Sequence, residues 1–73
     1  MYRLTETEKK APDYSYTEEF ETQEEAYNRM MDLYHSFAID TDANAVVTAI
    51  YFDNSAFVEY TDGNVLNWNI EEI

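Results

Sequence analysis

Only one stretch of this chain repeats its apolar residues at helical spacing, and almost everything around it alternates. Between Thr22 and Ala38, the residues Ala26, Met30, Leu33 and Phe37 fall on one stripe, with Met31 and Tyr34 widening it. That spacing predicts one amphipathic helix. On either side the period is two, the pattern of strands with one covered face. A single helix and several half-buried strands have one compact solution, an antiparallel sheet with the helix laid across one face. The expected fold is therefore α+β, in the order β-β-α-β-β-β with about five strands, and residues 1–73 form a single small acidic domain.

The elements follow from local chemistry. Tyr2 and Leu4 alternate with Arg3 and Thr5, a short first strand. Glu8 to Asp13 reads as a polar break in which Pro12 ends any regular element. Tyr14, Tyr16, Glu18 and Phe20 then alternate with Ser15, Thr17 and Glu19, a second strand in a hairpin with the first. Thr22-Gln23-Glu24-Glu25 has the form of a capping box and starts a helix expected from Gln23 to Ala38. Asp40-Thr41-Asp42-Ala43-Asn44 is its exit loop. Ala45 to Phe52 is apolar on both faces, which predicts a central strand. A two-residue turn at Asn54-Ser55 turns Val47, Ala49 and Tyr51 inward and leads to a fourth strand, Ala56 to Thr61.

The last hairpin, through Asp62-Gly63-Asn64 into Val65 to Ile70, carries a sharper inference. A two-residue turn at Asp62-Gly63 sets Glu59 opposite Leu66 and Phe57 opposite Trp68, mixing polar and apolar residues on each face. One more loop residue, with Gly63 left-handed, reverses the parity. Val58 then meets Leu66 and Ala56 meets Trp68, while Glu59, Asn67 and Asn69 share the other face. A one-residue slip flips every side chain, so burial selects this register. It points Val58, Tyr60, Leu66, Trp68 and Ile70 inward.

Charge restricts the partners. The chain has 16 acids against four bases, a net charge of −12, and no lysine or arginine beyond Arg29. Charges are rarely buried, so this surface repels itself at a cost in stability. It repels nucleic acid and anionic membranes, which excludes direct binding to either. With no cysteine and one histidine, neither a disulfide framework nor a Cys/His zinc site is available. A domain of this size buries only about 60% of its unfolded surface, so its seven Tyr, four Phe and one Trp are expected to dominate the core. Met1 to Lys10 is polar and has no apolar stretch of the length a signal peptide needs, and Ala45 to Phe52 is too short to span a bilayer. The expected location is the cytoplasm, that of the host cell if the chain is phage-encoded.

No residue pattern points to catalysis. His35 lies near the helix end, where a cation is mildly favoured. Ser15, Ser36 and Ser55 sit in no nucleophile motif, and a chain whose one glycine is Gly63 has no phosphate-cradling loop. Asp40-x-Asp42-x-Asn44 begins like a calcium loop, but the sixth and twelfth positions hold Ala45 and Tyr51 instead of Gly and Glu. Adjacent acids such as Glu18 and Glu19 point to opposite faces of a strand and read as solvated charge. The tyrosines could stack on bases only beside a cationic groove, which the chain lacks. The expectation is a non-enzyme with no cofactor and no metal.

What remains is an anionic surface. Duplex DNA carries about one charge per 1.7 Å of axis, and a small domain with −12 presents a comparable field. A basic nucleic-acid-binding protein is the expected partner: a nuclease, restriction enzyme, CRISPR effector, polymerase or repressor. The acids expected off the core are Glu18, Glu19, Glu21, Asp32, Asp40, Asp42, Asp53, Glu59 and Asp62. In length and composition the chain resembles phage and mobile-element proteins that mimic nucleic acid, including anti-CRISPR and anti-restriction proteins. That resemblance implies an acidic, non-catalytic inhibitor. The alternative is a small cytosolic adaptor, or a homodimer, that uses the uncovered sheet face and the Phe57 side chain on it.

Overall fold

The computed structural model describes residues 1–38 and 45–73. The described residues form five strands and one helix: β1 (Tyr2–Glu8), β2 (Ala11–Phe20), α1 (Gln23–Ala38), β3 (Val46–Tyr51), β4 (Ser55–Tyr60) and β5 (Val65–Glu72). The strands make one antiparallel sheet in the order β2-β1-β5-β4-β3. The expected element order and class hold. The exit loop with Asp40 and Asp42 lies outside the described residues.

The helix starts as its capping box dictates. The Glu25 amide donates to Thr22 Oγ1 at 3.2 Å, and the Thr22 hydroxyl donates to Glu25 Oε1 at 3.0 Å. Ala26, Met30 and Tyr34 are the buried helical residues, spaced four apart. Leu33 and Phe37 flank that stripe instead of centring it. Beneath the helix lie Leu4, Val58, Leu66, Trp68 and Ile70, all buried. Only Trp68 and Tyr34 among the aromatics belong to this buried set. One helix cannot cover a five-stranded sheet, so Tyr2, Phe20, Tyr27, Phe37 and Tyr60 form a half-buried margin around the buried set, and Tyr14, Tyr16, Tyr51 and Phe52 are exposed. Tyr34 meets Trp68 edge-on at 6.4 Å and Tyr51 edge-on at 5.4 Å.

The last hairpin adopts the register that burial selects. Ala56 faces Trp68 and Val58 faces Leu66. The Tyr60 amide donates to the Asn64 carbonyl at 2.8 Å, leaving Thr61-Asp62-Gly63 as the three-residue loop. Gly63 takes φ +88°, the left-handed region that favours glycine.

Four expectations change. Pro12 does not end a strand; it sits inside β2, where the ladder jumps from Thr7↔Ser15 to Glu8↔Ala11. β2 is an edge strand, and Pro is tolerated there because its missing N–H would face solvent. β3 is the other edge, not a central strand. Its second apolar face is exposed. Ala49 and Tyr51 point to the helix side as expected, opposite Val58 and Ala56, but the two-residue turn is Asp53-Asn54 and not Asn54-Ser55, a shift that keeps the parity. A bulge between Val46 and Thr48 turns Val47 outward and packs Val46 against the core in its place. Among the described residues, no helix is long and apolar enough to cross a membrane.

Candidate acidic binding surface

The topology sorts the carboxylates by end. β1 and β4 begin, and β2, β3 and β5 finish, at one end of the sheet, and the helix also starts there. Glu19, Glu21, Glu24, Glu25, Asp53, Glu71 and Glu72 gather at this end, seven carboxylates against one basic side chain, Arg3. Gln23, Glu24, Tyr27 and Asp53 line an open cleft of about 320 Å³ between the helix start and the β3–β4 turn. At the opposite end Glu8, Asp13 and Asp62 stand with Lys9 and Lys10, three against two. The described charge is therefore polarised along the strands. The positive end of the helix dipole offsets part of the acidic end, through Glu24 and Glu25 in the first turn.

Each expected site residue can be placed. Glu21 and Asp53 are exposed at the acidic end. Glu19 is there too, on the uncovered face, with Arg3 Nη2 at 3.5 Å, and Glu71 approaches Arg3 Nη1 at 3.9 Å. Such exposed pairs contribute roughly 0–1 kcal/mol and leave the carboxylates accessible. Asp32 is exposed on the helix, away from the others. Glu59 is half-buried on the uncovered face beside Val65 and Thr48. Asp62 is at the opposite end, where it accepts from the Asn64 amide at 2.9 Å and lies 3.8 Å from Lys10 Nζ. Asp40 and Asp42 are outside the described residues. Glu18 faces the helix side and is occupied. Tyr16 donates its hydroxyl to Glu18 Oε2 at 2.7 Å, and Arg29 Nε donates to the same oxygen at 3.2 Å. The Tyr16 hydrogen bond, with Arg29 behind it, holds the Glu18 carboxyl below the usual value, and Glu18 in turn raises Arg29.

The sequence reading passed over Glu24, Glu25, Glu71 and Glu72, which complete the acidic end. Their signal was present: a capping box places two acids at a helix start, and strand order places the β5 terminus beside it. It also passed over Glu6, which is only 6% exposed. Trp68 Nε1 donates to Glu6 Oε1 at 2.7 Å, and the Tyr14 hydroxyl donates to Oε2. The Glu6 hydrogen bond, then burial, pushes the Tyr14 phenol up to about 12. With both oxygens engaged, Glu6 serves to fasten β2 and Trp68 to β1. Among the described residues no cluster of His, Asp or Glu has the arrangement of a metal site.

The uncovered face is mostly polar. Thr5 pairs with Thr17 and Asn69, and Thr7 pairs with Ser15 and Asn67. Phe57 and Ile50 form the apolar strip of that face, on β4 and β3. No protein-family model, no curated protein and no solved structure matches the chain significantly.

Proposed function

We propose that the chain is a non-catalytic acidic protein that binds a basic nucleic-acid-handling protein in the cytosol and inhibits it by occupying its nucleic-acid site. One observation carries the reading: seven side-chain carboxylates against one basic side chain at the end where the helix begins. Self-repulsion makes such a concentration unfavourable for folding. A cationic cleft offsets that repulsion and is steered toward it at long range. Exposed Phe52, Met1 and Ile73 at the same end supply apolar contact inside the anionic rim. Phage and mobile-element inhibitors of CRISPR or restriction enzymes are the class in which such a surface would act.

The test is capture with displacement. Immobilised protein is exposed to host lysate at low and at high salt, and bound proteins are eluted with duplex DNA. The expected result is a nucleic-acid-binding protein that DNA and salt both displace. The triple variant Glu21→Lys, Glu24→Lys, Asp53→Lys should lose it by at least tenfold while keeping its circular dichroism. Capture that neither DNA nor salt disturbs would overturn the reading.

A further inference from the structure

We propose that the free edge of β3 pairs with β3 of a second copy, antiparallel and two-fold about Ile50, so that two five-stranded sheets become one continuous sheet. β3 is last in the strand order. The Phe52 amide donates to the Ser55 carbonyl at 2.7 Å, toward β4. Backbone groups alternate along a strand, so Thr48 and Ile50 also face β4, and Ala49 and Tyr51 aim their N–H and C=O outward. No described residue hydrogen-bonds to those outward groups. Edge strands are ordinarily protected by Lys, Pro, an inward charge or a bulge; Val46 to Phe52 has no charge and no Pro, and its one bulge lies between Val46 and Thr48, ahead of Ala49 and Tyr51. Val47, Ile50, Tyr51 and Phe52 are 58%, 40%, 52% and 57% exposed, half of the exposed large hydrophobic residues described.

The register is fixed by two conditions. Paired residues must lie on the same face, and the outward-pointing backbone groups must meet each other. Setting Ala49 against the partner's Tyr51, and Tyr51 against the partner's Ala49, satisfies both. Ile50 then sits on the axis against the partner's Ile50, and Thr48 lies against the partner's Phe52. Within each copy Ile50 is already opposite Phe57. The uncovered face thus gains one unbroken apolar row, Phe57, Ile50, the partner's Ile50 and the partner's Phe57. Both helices lie on the other face.

Charge selects a second copy over a foreign basic strand. A basic segment would need carboxylates along the seam, and Val46 to Phe52 offers none. Antiparallel pairing sends the two acidic ends to opposite ends of the joined sheet. Across the seam Asp53 falls beside the partner's Val47, so no carboxylate faces a carboxylate. Repulsion over longer distances is screened beyond about 8 Å at physiological salt.

Sedimentation equilibrium across concentration and salt provides the first test. The mass should rise from 8.6 kDa toward twice that value, and salt should favour the dimer. That salt response is opposite to the one expected for a basic partner, so the two proposals fail separately. Ile50→Lys should abolish the dimer and leave the monomer's thermal unfolding in dilute solution unchanged. The chain has no cysteine, which makes a register test possible. At a non-hydrogen-bonded pair the Cα atoms are about 4.5 Å apart, within disulfide reach. Ile50→Cys should therefore cross-link to a dimer on mild oxidation, and the exposed control Thr7→Cys should not. A chain that stays at 8.6 kDa at high concentration and high salt overturns the proposal. So does a dimer that survives Ile50→Lys, or equal cross-linking of the two cysteine variants.

Discussion

At one edge of the sheet, β2 runs for ten residues and carries Pro12, Asp13, Glu18 and Glu19; at the other, β3 runs for six and carries no charge. β2 is fastened to the covered face by polar contacts. Tyr14 reaches Glu6, and Tyr16 and Arg29 meet on Glu18. β3 is held by its ladder to β4 and by apolar packing, with Val46 and Ala49 against the core and Tyr51 against the Tyr34 ring. A rim of hydroxyls and carboxylates can end a sheet in water, because solvent completes its hydrogen bonds and its irregular ladder disfavours further pairing. The apolar rim of β3 lacks those polar groups, and its one irregularity lies between Val46 and Thr48, ahead of Ala49 and Tyr51. The two edges therefore teach where this domain stops and where it can continue.

The largest loss at the β2 edge is expected from Glu6. Glu6→Ala leaves the indole N–H of buried Trp68 without its acceptor and releases the Tyr14 hydroxyl. A buried donor left unsatisfied costs about 1–3 kcal/mol, and the loss of a second contact places the expected destabilisation at about 2–3 kcal/mol, read as a lower urea midpoint. Glu6→Gln keeps one carbonyl oxygen for the indole and should recover part of the loss. If Glu6→Ala unfolds at the wild-type midpoint, polar anchoring is not what holds the β2 edge.

Parity explains what could be read from the chain and what could not. The register of β4 and β5 was legible because only one alignment puts Val58, Leu66 and Trp68 on one side. The helix was legible from Thr22 and Glu25 at its start and from its stripe. Alternation from Tyr2 and Leu4 also points Glu6 inward, but nothing local says that Trp68 and Tyr14 will meet it, because those contacts depend on strand order. Strand order also hid the edge position of β3. A strand apolar on both faces reads as central, and the chain alone does not reveal that its outer face lacks a cover. The acidic end was half legible. Glu19, Glu21 and Asp53 were recognised as surface acids, yet their assembly with Glu24, Glu25, Glu71 and Glu72 is a property of topology. Glu18 lies off the core as expected, but its pairing was not legible, because a residue eleven positions away, Arg29, turns back onto it.

A smaller effect is expected at the β3 edge. Tyr51→Ala removes an edge-on contact with Tyr34 at 5.4 Å. Aromatic pairs contribute about 0.5–1.5 kcal/mol beyond burial, and Tyr51 is half exposed, so the expected cost is about 1 kcal/mol in dilute solution. The loss should grow with protein concentration if β3 joins a second copy. A cost equal to that of Glu6→Ala in dilute solution would mean that this edge belongs to the core, and the contrast between the edges would lapse.

The smallest effect is a matter of pH and belongs to Tyr14. Its phenol is pushed from 10.0 up to about 12, chiefly by donating to Glu6. A folded-state pKa raised above the unfolded one stabilises the fold below the unfolded value, and that contribution is lost as pH rises through the folded value. For Tyr14 the window runs from about 10 to about 12. Tyr14→Phe lacks the contribution at every pH. Wild type should therefore exceed Tyr14→Phe in urea midpoint by a constant margin below pH 10, and the margin should close toward pH 12. Solvent screens a partly exposed group, so the margin should be smaller than the one at Tyr51. Taking the difference between the two proteins cancels the titration of the other tyrosines. A margin unchanged between pH 10 and pH 12 would show that Tyr14 holds the β2 edge by packing of its ring and not through its hydroxyl.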